Sequence, residues 1–111
     1  MAAATVLISG VGIAGPALAY WLARGGHRPI LVERTERLRT GGHAVDIRGT
    51  ALEVVARMGL DAAVREVRTQ IMTLSAVRPD GRTYDVSLRP LHEIRGHREV
   101  EIMRDDLVRI L

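Results

Sequence analysis

The sequence predicts an α/β fold built on a parallel βαβ unit, and three observations carry that prediction. Thr5-Val6-Leu7-Ile8-Ser9 is a short apolar, β-branched run closed by Gly10, the pattern of a buried strand. From Gly12 to Arg24 the period changes. Ala14, Ala17, Leu18, Trp21 and Leu22 fall at i, i+3, i+4, i+7 and i+8, one face of a helix. Pro29-Ile30-Leu31-Val32-Glu33 is a second apolar run. Strand, helix and strand within about 30 residues form a unit whose crossover is right-handed and whose strands are parallel.

Local signals set the ends of these elements. Pro16 sits in the first helical turn, where its missing N–H costs nothing. Gly25-Gly26 ends the helix. Residues 34–42 are polar and contain Gly41-Gly42, so they read as a loop. Residues 44–48 read as a short extended segment. Thr50 and Glu53 have the spacing of a capping box. A helix is expected to about Met58, closed by Gly59, and Asp61 is placed to cap another to about Val67, giving a helical segment over 50–67.

Beyond that the pattern turns to strands. Met72, Leu74 and Ala76 share one face, Pro79-Asp80-Gly81 is a turn, and Tyr84, Val86 and Leu88 alternate with Thr83, Asp85 and Ser87. The expectation is a hairpin over 70–88 with one solvated face. Residues 89–98 read as a loop. Residues 100–103 read as a last strand with Arg104 at its end, and Asp105-Asp106 opens a final helix whose positive end suits acids. The expected core is three parallel strands plus the hairpin. Leu107, Val108, Ile110 and Leu111 are expected to face outward or to pack on something absent, which reads as the front part of a longer protein.

Composition narrows the function. With 111 residues and 47% apolar content, one domain over 1–111 is expected. No apolar run reaches spanning length, and no basic segment precedes the first strand, so neither a membrane helix nor a signal peptide is read. There are no cysteines, which removes disulfides, zinc-thiolate sites and thiol nucleophiles. A cytoplasmic location fits these features. All 16 basic residues are arginine, scattered among 13 acids, and aromatics make up only 3%. A basic stripe and a stacking platform are both lacking, which disfavours nucleic acid.

Gly10-Val11-Gly12-Ile13-Ala14-Gly15 is a G-x-G-x-x-G placed where a strand passes into a helix. Gly10 permits the tight turn, Gly12 lets backbone approach a pyrophosphate, and Gly15 lets helix and sheet lie close. Glu33 ends the second strand 18 residues after Gly15. A carboxylate there accepts hydrogen bonds from an adenosine ribose and repels a 2′-phosphate. The site therefore reads as one for an adenine dinucleotide, NAD or FAD, against NADP. The bland alternative is a βαβ unit with a glycine turn and no ligand. Arg34, Arg39, Asp46 and Arg104 are further candidates, each with a solvated charge as its plainer reading. A short NAD-dependent dehydrogenase would need a catalytic pair such as Tyr-x-x-x-Lys, and the chain has no lysine. His27, His43, His92 and His97 have no partners at metal-ligand spacing and read as surface histidines.

Taken in order, residues 6–16, Val32-Glu33-Arg34, residues 42–49 and residues 101–107 resemble the N-terminal quarter of class A FAD-dependent aromatic hydroxylases. That group is p-hydroxybenzoate hydroxylase-like, and the resemblance is closest to the antibiotic- and polyketide-modifying branch. It implies a Rossmann-like, GR2-type FAD-binding fold with an added β-hairpin, incomplete without downstream residues. It implies that Gly10, Gly12 and Gly15 hold the FAD pyrophosphate, with Ile13 and Ala14 in the same turn. Glu33 would bind the ribose, and Arg34 would lie over the adenine side. Arg39 would stand on a loop meeting the flavin or the incoming NADPH. Asp46 would lie near the flavin, and Arg104 would contact the FAD ribose and phosphates. The implied activity is hydroxylation of an aromatic or polyketide-like molecule with NAD(P)H and O2, the nicotinamide acting as transient reductant. The family's downstream Gly-Asp motif, its mid-chain Asp-Gly segment and its substrate sheet are missing, and Asp80-Gly81 is a hairpin turn. No catalytic side chain is therefore assigned. The alternative is a nucleotide-binding or interaction subunit without chemistry of its own. The implied partners are an aromatic substrate and the missing C-terminal portion or a second chain.

Overall fold

The computed structural model describes residues 2–38 and 41–111. Arg39 lies outside the described residues. The βαβ unit forms as the sequence predicts, with β1 (Thr5–Ser9), α1 (Ala14–Arg24) and β2 (Arg28–Val32). β1 and β2 pair in parallel, with Leu7 opposite Ile30 and Ser9 opposite Val32. Ile8 of β1 and Gly15 and Ala19 of α1 are buried where helix and sheet meet. Tyr20 donates from its hydroxyl to the Met58 carbonyl at 3.2 Å. That bond ties α1 to the end of α2 (Thr50–Arg57).

The second half is not a continuation of the parallel sheet. β3 (Ala44–Arg48) pairs antiparallel with β6 (Glu99–Met103), Ile47 standing opposite Val100 and Val45 opposite Ile102. The expected three-stranded parallel core is thus corrected. Among the described residues only β1 and β2 are parallel. A strand at 44–48 pairs by its long-range partner, and nothing in its own sequence chooses between β1 and β6.

The main core lies on the β3–β6 pair. Ile47, Val55, Val64, Val100, Ile102 and Leu107 form one buried cluster. They come from β3, α2, α3 (Asp61–Glu66), β6 and α5 (Arg104–Ile110). Leu107 is 5% exposed, and Ile110 and Leu111 pack against the same cluster. This overturns the expectation of an outward-facing final helix, because α3 and the β3–β6 pair give its apolar side a surface to cover. Arg104 is the first residue of α5 rather than the last of the strand.

Two helix starts differ from expectation. Gly49, with φ 55°, is the N-cap of α2, and its carbonyl accepts from Leu52 and Glu53. A positive φ is cheap only for glycine, so the turn is fixed there. Thr50 then falls inside the helix, and no side-chain cap bond forms. Asp61 begins α3 after Leu60 and pairs with Arg65 at 2.9 Å instead of capping.

Residues 89–95 form a helix, α4 (Arg89–Arg95), followed by a 3-10 turn over Gly96–Arg98. The loop expected there is corrected. Pro90 in the first turn and Gly96 with φ 54° at its end were the signals for it. β4 (Thr73–Val77) and β5 (Thr83–Ser87) make the expected hairpin. The intended inner face carries Leu74, Ala76, Tyr84 and Val86, yet Leu74 and Tyr84 are each 53% exposed. Both faces of the hairpin are open, because the described residues place no layer on either.

Candidate nucleotide site

The turn from β1 into α1 brings backbone amides to one end of the parallel pair. Gly10 has φ 105°, a conformation L side chains rarely adopt, and its amide donates to the Val32 carbonyl at 2.7 Å. The loop is thereby tied to the end of β2. Gly15 faces back onto that turn, and a Cβ there would collide with the Gly10 carbonyl. Pro16 has no N–H, and the first bond of the helix runs from Ala17 to Ile13 at 3.3 Å. The amides ahead of it therefore point out of the helix start, where the dipole favours an anion.

Glu33 follows β2 directly and reaches back across this turn. Its Oε2 accepts from the Val11 amide at 2.8 Å. Its Oε1 accepts from the Thr35 amide at 3.1 Å and from the Thr35 hydroxyl at 3.2 Å. The Val11 amide, then the two Thr35 donors, hold its carboxyl down at about 2, against an ordinary 4.5. Glu33 is therefore an anion at any working pH.

Arg104 closes the other side. A Cβ on Gly42 would lie 3.5 Å from Arg104 Cβ, and one on Gly12 would lie 3.5 Å from Arg104 Nη2. The side chain thus passes Gly42 and brings its guanidinium beside the glycine turn. Its own amide donates to the His43 carbonyl at 3.3 Å. Val11, Gly12, Glu33, Arg34, Thr35, Leu38, Arg104, Asp105 and Val108 line one cleft of about 160 Å³. It offers a helix start and a cation for a diphosphate and a fixed carboxylate for sugar hydroxyls.

Of the residues singled out in the sequence, Gly10, Gly12, Gly15, Glu33, Arg34 and Arg104 meet at this one place. Ile13 and Ala14 lie in the same turn at the start of α1. Asp46 lies on β3 outside the cleft lining and pairs with Arg48 at 2.9 Å. Thr35 was not foreseen. The only signal for it was a hydroxyl two residues beyond the carboxylate. His27 accepts from the Ala4 amide, and His92 Nε2 lies 2.7 Å from the Ile71 carbonyl, so both have structural partners. No group of metal-binding side chains occurs among the described residues. None of their helices is long and apolar enough to cross a membrane.

Known proteins share both the sequence and this architecture. The chain is 45% identical over 109 residues to an uncharacterized protein of Mycobacterium tuberculosis, covering 96% of this chain and 29% of that protein. It is 42% identical over 113 residues to a flavin-dependent monooxygenase of Legionella longbeachae, covering 96% of this chain and 27% of the other. The crystal structure of tetracycline destructase Tet(51) superposes with a TM-score of 0.82 at 41% identity, over 98% of this chain and 27% of that one. No family model matches. The fold is a mixed α/β unit with a glycine turn between β1 and α1. Over almost its whole length, the chain is a homologue of flavin-dependent monooxygenases and spans less than three tenths of their length.

Proposed function

We propose that this chain supplies the adenosine- and pyrophosphate-binding part of an FAD-dependent monooxygenase. The observation that carries the reading is the convergence of the glycine turn, Glu33 and Arg104 on one cleft. The flavin follows from combining two facts. Several similar proteins are flavin-dependent monooxygenases, and the cleft suits an adenosine diphosphate, so the flavin nucleotide that fits both is FAD. The residues present suit that group. The turn leaves Gly12 without a side chain beside the cation, and the carboxylate is already anionic. At about 160 Å³ the cleft is small beside a whole-ligand pocket of roughly 300–1,000 Å³, so it takes only the ribose and phosphates.

Arg34 stands at the adenine side and Asp46 on the flavin side. The arrangement is of the GR2 type. When bound, FAD supplies the oxygen chemistry. In the whole protein the reaction is hydroxylation of an aromatic or polyketide-like molecule with NAD(P)H as transient reductant, which suits the cytoplasm. The substrate-binding portion comes from further residues or from a second chain.

The test is titration of the chain with FAD, read by flavin fluorescence and calorimetry, with ADP as competitor. Saturable one-to-one binding displaced by ADP is the expected result. Failure of both FAD and ADP to bind removes the reading.

A further inference from the structure

We propose that Thr35 is a positioning residue of this site, holding the Glu33 carboxylate against the Val11 amide so that the ribose acceptor is set before a nucleotide arrives. The inference rests on the nucleotide-binding reading of the cleft. Glu33 is exposed and long, and fixing such a side chain costs conformational entropy. Left alone it would sample many rotamers. Here both oxygens are assigned. Oε2 is on the Val11 amide, and Oε1 receives the amide and hydroxyl of Thr35.

The bracing is local on one side and long-range on the other. Thr35 lies two residues from Glu33, whereas Val11 lies 22 residues away on the glycine turn. The Thr35 hydroxyl has one proton and two acceptors in reach, Glu33 Oε1 at 3.2 Å and the Arg37 carbonyl at 3.0 Å. That proton is shared between the two acceptors, while the Thr35 amide donates to Oε1 alone. Oε2, bound only by the Val11 amide, keeps a lone pair for a sugar hydroxyl, so bracing through Oε1 and binding through Oε2 do not compete. A braced acceptor lowers the ordering cost that binding would otherwise meet.

The experiment compares Thr35→Val, which keeps the branched shape and removes the hydroxyl, with Thr35→Ser, which keeps the hydroxyl. Glu33 is titrated by carbon NMR of its carboxyl in each protein, and FAD affinity is measured alongside. Arg34, Arg104 and Asp105, which line the same cleft, are common to all three proteins, so a difference reads Thr35. Thr35→Val is expected to move the Glu33 midpoint upward toward 4.5. It should also weaken FAD binding roughly fivefold, the size of one hydrogen bond. Thr35→Ser should stay near wild type. A midpoint unmoved in Thr35→Val overturns the inference, as does unchanged affinity in a protein that binds FAD, or a Ser variant that behaves like Val. If the wild type binds no FAD, the nucleotide reading falls, and the titration still decides whether Thr35 holds Glu33.

Discussion

Gly15 faces the carbonyl of Gly10 so closely that a Cβ on Gly15 would run into it. The contact is backbone against backbone, so no side chain can swing away to relieve it. Gly15→Ala should force α1 away from β1. A loss of roughly 1–3 kcal/mol is expected, the usual cost of overpacking, with FAD binding lost as well. Urea unfolding and a flavin titration check both. An alanine variant as stable as wild type would mean that α1 is not held at this approach.

Arg104 should matter for affinity more than for folding. Its guanidinium lies beside Gly12, and its stem passes Gly42. Charge-assisted bonds to phosphate are worth roughly 1.5–3 kcal/mol, so Arg104→Ala should weaken FAD at least tenfold. Arg104→Lys should recover part of that loss. Its position at the start of α5 is unfavourable for a cation, and Asp105 and Asp106 offset it there. Unchanged affinity in Arg104→Ala would remove the residue from the site.

Acid should loosen the turn through Glu33. Its carboxyl is held at about 2 in the fold, against an ordinary 4.5, first by the Val11 amide and then by Thr35. A depressed carboxyl contributes stability that is fully present above 4.5 and lost as pH falls toward 2. Urea midpoints of wild type and Glu33→Gln should differ by a constant amount above pH 4.5 and converge below it. A difference that ignores pH would show that the contacts do not favour the anion.

The β3–β6 core sets global stability. Ile102 and Val64 are fully buried within it. Ile102→Ala should cost about 2–5 kcal/mol by deletion and cavity together. Exposed Ile94, at 81% on α4, should tolerate alanine with almost no change in thermal midpoint. Similar losses at the two positions would contradict the placement of the core.

The chain by itself should associate. Its accessible surface is 8398 Å², whereas a compact 12.2 kDa monomer exposes about 6,100 Å². The radius of gyration is 18.2 Å, against about 13 Å for a compact chain of this length. Leu7, Ile30 and Val32 on one face of the β1–β2 pair, and Leu74, Tyr84 and Val86 on the hairpin, are open. Light scattering after size exclusion should find dimers or larger species. A monodisperse monomer with a cooperative melt would show that these faces are harmless.

The sequence alone determined the βαβ unit, because its signals are local. A β-branched run, a helical period and a second apolar run leave little choice within 30 residues. It also determined the glycine turn and Glu33, since G-x-G-x-x-G and an acid at fixed spacing require only that the unit form. The hairpin turn was equally legible in Pro79-Asp80-Gly81. Other features were decided by distant partners. Val45 and Ile47 look the same whether their strand is parallel or antiparallel, and β6, more than 50 residues on, settles it. Leu107 looks exposed until α3 and the β3–β6 pair cover it. Thr35 looks like a loop threonine until Glu33 turns back to Val11. Local propensity fixes how a segment folds, whereas only the closed chain fixes what that segment meets.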